Sequence, residues 1–454
     1  MKKILAFFAA VAMCAACFSC DDDNNDEDIS ENVPETEEVG DTLVENKFRT
    51  YEEKDFKTIN VPITFTDEEA PVVLKSCDIP DIDFGERLAP CKTSDDPSQF
   101  DPLRDRSYTW TDENGVEHKP ESTYMQILDT PEEGMVTGAV KYGDSIYMTV
   151  SYDNFCSGCH EWSVYEYDIN TEETKEVYNY SDTDIGHDVG YWLAPQIVAG
   201  NMLYTAYDPS GGASKQITEA IDLKTGERKA IYTSDGDYYN YLTNGLDKVE
   251  FYSTEPLDKL GNKMKLTIKE YDFNTGELKT VAESVETKVF NTAICGLCSY
   301  LRKPFDSRKC EFVTEHYSIK TDTTNACILY ASDKKAMYVT GDDNDILHTY
   351  DLEKMEHYIT DLSDCSGLQA VCGENIILSD VSTFSEDSIG NIFYMIPEMG
   401  LVFQLGEDIP HDTLTYSGGE VTITATESSV LQIGKDASRG YRKPIGVYWT
   451  EERE

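Results

Sequence analysis

Two cysteine pairs with a two-residue spacing are the residues of this sequence best placed to do chemistry. They are Cys156 with Cys159, in CSGC, and Cys295 with Cys298, in CGLC. Four thiolates could hold zinc tetrahedrally, but the pairs stand about 135 residues apart, so two local disulfides are the simpler interpretation. His160 follows the first pair, and Cys-x-x-Cys-His is also the attachment motif of c-type haem, which stays open as a minority alternative.

The remaining cysteines also indicate disulfides. Of 13 cysteines, three (Cys14, Cys17 and Cys20) lie in the first twenty residues, which leaves ten, an even number that is typical of an oxidising compartment. The pairing cannot be deduced from sequence, and we expect neighbours to pair: Cys77 with Cys91, Cys310 with Cys327, and Cys365 with Cys372. Each closed loop of about 15 residues would stabilise the fold by about 3 kcal/mol in the chain-entropy model.

Aromatic and acidic clusters are the candidate ligand sites. The aromatic candidates are Tyr191, Trp192, Tyr238, Tyr239 and Tyr241. Such rings stack on sugars or peptides, although packing between sheets would explain them equally well. Acidic runs at 342–345 and 181–184 offer the oxygen ligands that calcium prefers, and a solvated turn is the alternative. We assign no metal ligand and no cofactor, with calcium as the open alternative.

No catalytic signature is present. The sequence lacks the G-x-S-x-G, H-E-x-x-H, Walker and EF-hand patterns. A glycosidase needs only two carboxylates set by the fold, and 86 acidic residues conceal any such pair. No catalytic residue is assigned. The net charge of -48 also argues against nucleic acid as a partner, because phosphate backbones attract basic surfaces.

The N-terminus predicts export. Lys2 and Lys3 precede an apolar stretch, Ile4 to Ala16, that is too short to span a bilayer, so residues 1–19 are predicted to be a cleaved signal peptide. The following CFSC resembles a bacterial lipobox with Cys20 as the lipidated residue. Residues 20–56 then read as an acidic, disordered tether. Acidic residues directly behind such a cysteine resemble the surface-export signal of Bacteroidota lipoproteins, which implies a lipid-anchored protein of the cell envelope, at the outer membrane and facing outward. A charged, solvated spacer is the alternative interpretation, which leaves a periplasmic orientation open.

Residues 57–454 predict an all-β fold. Short alternating runs such as SIYMTVSY and LTIKEYDF are typical of half-buried strands. Four segments repeat an aromatic or apolar residue, then Asp, then a turn, at Asp168, Asp222, Asp272 and Asp351. Spacings near 50 residues suit the blades of a β-propeller, and about seven blades fit the length, with six or eight open. A pair of β-sandwiches is the alternative if the spacings are accidental. Residues 57–120 alternate less regularly and are expected to form a small β-rich segment or part of the closing blade.

The repeats resemble those of bacterial extracytoplasmic propellers, such as the Tol-system and quinoprotein-like propellers. Taken with the absence of a catalytic signature, this resemblance implies a non-catalytic binding or scaffolding module for a glycan, a small ligand or a partner protein. The alternatives are an envelope carbohydrate-active enzyme that uses paired carboxylates and, third, a c-type haem redox protein.

Overall fold

The described part of the chain is built of β-strands. A computed structural model describes residues 48–87, 110–111, 117–118, 132–152, 161–181, 196–207, 216–233, 239–243, 246–257, 264–286, 288–293, 299–303, 309–324, 326–340, 345–363, 365, 368–372, 374–381, 389–417, 420–432 and 438–453. Within these ranges the one helical element is a single 3-10 turn, and no helix there has the length and apolar character that crossing a bilayer requires. The predicted all-β class is confirmed.

The first described strands are short. They are β1 (Arg49–Glu52), β2 (Lys57–Asn60), β3 (Thr64–Thr66), β4 (Val72–Asp78), β5 (Glu86–Arg87), β6 (Trp110–Thr111), β7 (Glu117–His118) and β8 (Glu132–Glu133). The 3-10 turn, Glu53–Asp55, lies between β1 and β2. Strand β5 pairs with β8, and β6 pairs with β7. Strand pairing therefore begins at Arg49, inside the segment 20–56 that was predicted as tether.

Three four-stranded antiparallel sheets follow in chain order. The first sheet contains β9 (Met135–Tyr142), β10 (Ser145–Ser151), β11 (Glu161–Asp168) and β12 (Thr174–Ser181). The second contains β13 (Gln196–Val198), β14 (Asn201–Tyr207), β15 (Gln216–Asp222) and β16 (Arg228–Thr233). The third contains β17 (Tyr239–Thr243), β18 (Lys248–Pro256), β19 (Met264–Asp272) and β20 (Glu277–Glu286). In each sheet the strands pair in the order in which they occur along the chain.

The later sheets have the same arrangement and gain extra strands. The fourth contains β21 (Lys288–Ala293), β22 (Ser299–Lys303), β23 (Glu311–Thr314) and β24 (Tyr317–Lys320). The fifth contains β25 (Cys327–Ala331), β26 (Lys335–Thr340), β27 (Ile346–Asp351) and β28 (Glu356–Asp361). An eight-stranded sheet ends the chain with β29 (Leu368–Cys372), β30 (Asn375–Ser379), β31 (Ile389–Ile396), β32 (Leu401–Ser417), β33 (Glu420–Gln432) and β34 (Ser438–Glu452).

The N-terminal strands complete these later sheets. Strands β1, β2 and β3 pair in parallel with β24, β28 and β32 in turn. Strand β4 then pairs antiparallel with β34, over Val72–Asp78 against Gly446–Glu452. The segment 57–120 thus supplies the last strand of the eight-stranded sheet.

Consecutive sheets pack face to face through apolar cores. Trp162 of the first sheet, for example, lies in one cluster with Met202 and Ile221 of the second, and Phe312 of the fourth lies with Tyr338 of the fifth. The last strand also contacts the first sheet, because Val447 of β34 lies in the core cluster of β9, β10 and β11. Burying one such side chain stabilises the fold by about 1.5–3 kcal/mol, so these contacts hold the sheets in order.

The repeated Asp motif forms the hairpin between the third and fourth strands, as its sequence predicts. Asp168, Asp222, Asp272 and Asp351 are the last residues of β11, β15, β19 and β27. The Oδ1 atom of Asp222 accepts hydrogen bonds from the backbone N–H groups of Lys224 and Thr225 at 2.9 and 2.7 Å. The same two bonds occur at the other three positions. The long interval between Asp272 and Asp351 contains the whole fourth sheet, whose hairpin lacks the motif.

Candidate functional site

Three glutamates between the third and fourth sheets form the candidate cation site. Glu250 on β18 and Glu270 on β19 face each other across the strand pair, and Glu315 lies in the turn between β23 and β24. One carboxylate oxygen from each lies within 4.8 Å of the other two. Glu250 and Glu270 are buried, whereas Glu315 is exposed. Because side chains alternate along a strand, both buried glutamates share the face of Ile268, which packs against the fourth sheet.

Two lysines balance much of this negative charge. The Nζ atoms of Lys248 and Lys279 each lie 3.0 Å from Glu270 Oε1. Burial opposes the charge on Lys248, but its hydrogen bond to Glu270 and the nearby charge of Glu315 outweigh burial and raise its pKa. Three carboxylates against two ammonium groups leave a net charge of about −1. Carboxylate oxygens are the ligands that calcium, magnesium and manganese prefer, so the group could hold a divalent cation.

A second charged cluster lies within the second sheet, beside its apolar contact with the first. The hydroxyl of Tyr204 donates a hydrogen bond to Glu219 Oε2 at 2.5 Å, and both residues are buried. Arg228 Nε lies 3.7 Å from Glu219 Oε1. Burial and the adjacent carboxylate raise the pKa of Tyr204 well above its ordinary value, so the hydroxyl stays protonated and keeps donating. The carboxylate of Glu219 is thus held by a donor and a cation from the two neighbouring strands of its own sheet.

A chain of polar groups crosses the fifth sheet. Thr340 Oγ1 lies 3.0 Å from His348 Nε2, and His348 Nδ1 lies 3.0 Å from His357 Nε2. His357 Nδ1 is buried, makes no hydrogen bond and lies 3.6 Å from Glu53 Oε1. Burial lowers the pKa of His348 to about 4, and burial with the neighbouring ring lowers the pKa of His357 to about 3. Both imidazoles are therefore neutral at pH 7.

A serine and a histidine form a close pair in the eight-stranded sheet. Ser379 Oγ lies 2.7 Å from His411 Nε2, and His411 Nδ1 lies 2.8 Å from the carbonyl oxygen of Ile409. This carbonyl can only accept, so Nδ1 carries the proton and Nε2 accepts from the serine, as in a nucleophile–base pair. Both side chains are completely buried, however, so a substrate cannot reach the hydroxyl. The pair links β30 to β32.

The aromatic residues predicted to bind a ligand are only partly placed. Tyr239 and Tyr241 lie on β17, paired with Ser253 and Phe251 of β18. The remaining predicted site residues, which lie outside the described residues, are Cys20, Tyr191, Trp192, Tyr238, Cys156, Cys159 and His160. The acidic runs at 342–345 and 181–184 are described only at Ser181 and Asp345. These assignments stay predictions.

The structure does not support the predicted disulfides between neighbouring cysteines. Cys77, Cys310, Cys327 and Cys365 are the cysteines whose side chains it describes, and none of them forms a disulfide. The predicted bridges Cys77–Cys91, Cys310–Cys327 and Cys365–Cys372 are therefore not supported. Cys310 packs in the core between the fourth and fifth sheets, whereas Cys327 packs on the opposite face of β25. Because a disulfide requires adjacent Cβ atoms, this pair cannot close.

The rest of the predicted disulfide framework has no structural test. Cys91, Cys156, Cys159, Cys295, Cys298 and the side chain of Cys372 lie outside the described residues. The two Cys-x-x-Cys disulfides therefore stay predictions.

Sequence reasoning did not find the buried glutamates. Glu250 and Glu270 stand in KVEFYST and LTIKEYD, at positions where alternation expects a side chain that faces a neighbouring sheet. An acidic residue at an inward position of an alternating strand is the signal that could have selected them. With 86 acidic residues and no knowledge of which face is covered, that signal could not be read.

Comparison with known proteins leaves the activity open. No protein-family model matches the chain, and no curated protein matches its sequence. Solved structures that resemble it include an oligogalacturonate lyase in complex with manganese, with a TM-score of 0.38 and 12% identity, covering 68% of this chain and 86% of the lyase. A prolyl endopeptidase has a TM-score of 0.44 and 10% identity, covering 64% of this chain and 45% of that one.

An uncharacterised protein from Listeria monocytogenes is also similar. Its TM-score is 0.40 at 12% identity, and the match covers 63% of this chain and 90% of that protein. At these scores the likenesses assign neither a substrate nor a reaction to this chain.

Proposed function

We propose that this protein is a lipid-anchored protein of the bacterial cell envelope whose sheets form a seven-bladed propeller. The propeller acts as a non-catalytic binding or scaffolding module for a glycan, a small ligand or a partner protein. In this proposal the first five sheets are five blades, and the two halves of the eight-stranded sheet, before and after the middle of β32, are the sixth and seventh. The contact of β34 with the first sheet supports a closed ring.

The observation that carries the binding assignment is how the buried charges are used. Tyr204 with Glu219, and Lys248 with Glu270, tie one strand or sheet to the next. Groups held in this way stiffen a body that presents its loops to a partner, since loops on a rigid scaffold are where binding residues concentrate.

The anchor is proposed to be an acylated Cys20 at the outer membrane, with the folded part facing outward. Residues 20–47 could then span up to about 95 Å when fully extended, which would hold the propeller clear of the envelope. Mass spectrometry of the mature N-terminus tests the anchor: we expect an acylated Cys20, and a C20S variant in the soluble fraction. An unmodified Cys20 would refute the anchor and leave the binding proposal standing.

A second candidate function is a carbohydrate-active enzyme that uses carboxylates. The cluster of Glu250, Glu270 and Glu315 favours it, because three carboxylates could place a cation beside an acidic sugar.

A panel of glycans, incubated with the protein and calcium or manganese, separates the two functions. The binding proposal expects retention of a glycan without turnover. Turnover that is lost in Glu270→Gln but kept in the control Glu283→Gln, whose carboxylate lies 3.0 Å from Lys265 on exposed side chains, would establish the enzyme instead.

A further inference from the structure

The N-terminal strap, defined as Arg49–Thr66, crosses the edges of three sheets and is held by few contacts. Its three strands have four, four and three residues, and most of their side chains are exposed or half-buried. Between the ladders, backbone bonds continue the attachment: Lys57 N–H donates to Met355 O at 2.9 Å, and Thr64 N–H donates to Gly400 O at 2.8 Å. Short ladders at a sheet edge are the kind of structure that opens locally while the rest stays folded.

Glu53 and Phe56 are where the strap reaches the interior. Phe56 is 5% exposed, and its ring centroid lies 4.9 Å from that of Tyr350. Glu53 Oε2 accepts a hydrogen bond from the backbone N–H of Asp322 at 2.6 Å, while its Oε1 points at His357 Nδ1, 3.6 Å away. The imidazole of His357 stacks on Tyr350 with the ring centroids 4.1 Å apart. The strap therefore contacts the interior through the aromatic rings of Phe56 and Tyr350, with one polar group, the imidazole of His357, among them.

The protons of this chain can be assigned from its contacts. Glu53 is acceptor-only when ionised, so His357 Nδ1 carries the proton that faces it. His357 Nε2 must then accept from His348 Nδ1–H, and His348 Nε2 accepts from the hydroxyl of Thr340. The first added proton could bind only at His348 Nε2. The hydroxyl of Thr340 would then have to rotate, so that its oxygen accepts a hydrogen bond from this new N–H group. A second would set two N–H groups against each other across the 3.0 Å contact and break it.

We infer that the strap is a pH-dependent clasp, that is, a segment that detaches in acid. Protonation of both His348 and His357 breaks the hydrogen bond between their rings, which lie beneath Glu53, and residues 49–66 then leave the sheet edges. The site's other charged and titratable groups are Asp322 and Lys309, which form an ion pair beside Glu53, and Tyr338, Tyr350 and Cys310. The tyrosines have raised pKa values and stay neutral, so they do not change charge as the pH falls.

The direction of the pH effect follows from proton linkage. The docked imidazoles have pKa values of about 4 and 3, against an ordinary value of 6.5. The released state therefore binds more protons as the pH falls below 6.5, and docking weakens. Burial raises the pKa of Glu53, which acts in the opposite sense because the docked state then favours the protonated acid. The Glu53→Gln variant removes that opposing contribution and keeps the imidazoles.

Hydrogen exchange of the full chain between pH 7 and pH 5 tests the clasp. Rates at the amides of Lys57, Val61 and Thr64 are divided by their intrinsic rates, so that only opening is compared. We expect protection of these amides to fall by about tenfold or more, whereas amides of β10 keep theirs. In His357→Gln and in His348→Gln the fall should shrink, because one linked imidazole remains, and in the double variant it should be less than about twofold. In Glu53→Gln it should persist.

His316 provides the matched control. Its carbonyl oxygen accepts from Arg49 N–H at 3.0 Å, and its ring lies 2.6 Å from Asp333 on the surface, so it is a histidine beside the strap that is outside the buried pair. We expect His316→Gln to keep the pH response. The clasp proposal is wrong if His316→Gln removes the pH response or if His348→Gln and His357→Gln both retain it in full. It is also wrong if the strap amides keep their protection at pH 5.

Discussion

At the scale of residues, buried hydroxyl–carboxylate contacts link neighbouring strands. Removing one partner of such a contact leaves the other without compensation for its lost water, which costs more than the bond itself contributes. The contact of Tyr204 with Glu219 is the shortest case that involves two buried side chains of neighbouring strands.

Tyr204→Phe should therefore lower the free energy of unfolding by about 2–3 kcal/mol, because hydrogen bonds to charged groups contribute about 1.5–3 kcal/mol. Urea unfolding measures it. The control is Tyr271→Phe: this ring is equally buried, but its hydroxyl accepts from the exposed Lys229 at 2.8 Å, and we expect a loss below about 1 kcal/mol. Equal losses in the two variants would show that the hydrogen bond to Glu219 contributes no more to the free energy of unfolding than the hydrogen bond from Lys229.

The turn aspartates should give the fold part of its acid sensitivity. Hydrogen bonds from Thr225 and Lys224 outweigh burial and lower the pKa of Asp222 below its ordinary 3.8. A carboxyl whose folded pKa is lowered stabilises the fold above the unfolded value, and that stabilisation disappears as the pH falls through the folded pKa. Asp222→Ala should cost about 1 kcal/mol at pH 7 and less at pH 3. Asp222→Asn should keep most of the stability at both pH values, since its amide oxygen also accepts the hydrogen bonds of the turn. If the cost of Asp222→Ala did not change with pH, this account would be contradicted.

At the scale of elements, the open and covered sheet edges differ in sequence. The fourth strands of the first three sheets carry Lys175, Lys229 and Lys279, each seven residues after the motif aspartate. In the fifth sheet, whose edge is covered by β2, the same place holds Tyr358, which is buried. Lysine on an exposed edge strand discourages pairing with another chain. The covered edge of the fifth sheet has no lysine at this place.

The Thr-Gly-Glu turns give a paired test of two equivalent hairpins. Gly226 and Gly276 both have φ near +71°. An added Cβ at Gly226 would lie 2.6 Å from the carbonyl oxygen of Val177 in the first sheet, whereas at Gly276 the nearest atom is 3.9 Å away.

Gly276→Ala should cost about 1–2 kcal/mol through backbone strain alone, and Gly226→Ala distinctly more because the neighbouring sheet must also move. Thermal unfolding of the two variants measures the difference. Equal midpoints would show that the first and second sheets can move apart at Gly226 without any loss of stability.

The sequence predicted elements that are specified locally and missed those that depend on distant contacts. Strands, the Asp hairpins and the repeat could be predicted because alternation and turn chemistry act over a few residues. The fourth sheet was left uncertain because its hairpin at Glu315 has no Asp motif. The pairing of β1 with β24 could not be predicted, since nothing within four residues marks which of several edges will receive it. The buried Glu250 and Glu270 were missed for the same reason: burial is set by the neighbouring sheet.

At the scale of the whole molecule, β4 joins an early segment of the chain to its last described strand, β34. It pairs with β34 over seven residues, and Val72 is buried against the eight-stranded sheet. The strap before it lengthens edges that already exist and buries Phe56 between the fourth and fifth sheets. Removing the strap and removing β4 should therefore have different effects, which three N-terminal truncations can separate.

We expect a variant without residues 1–47 to behave as a stable monomer and to serve as the reference. A variant without residues 1–66 should fold but associate, because the edges of β24, β28 and β32 lose their covering strands. A variant without residues 1–80 also loses β4, including the burial of Val72 that is worth about 1.5–3 kcal/mol and the ladder to β34. It should melt at a much lower temperature. Light scattering and circular dichroism measure both effects; equal melting temperatures for the last two variants would show that β4 need not pair with β34 for the sheets to hold together.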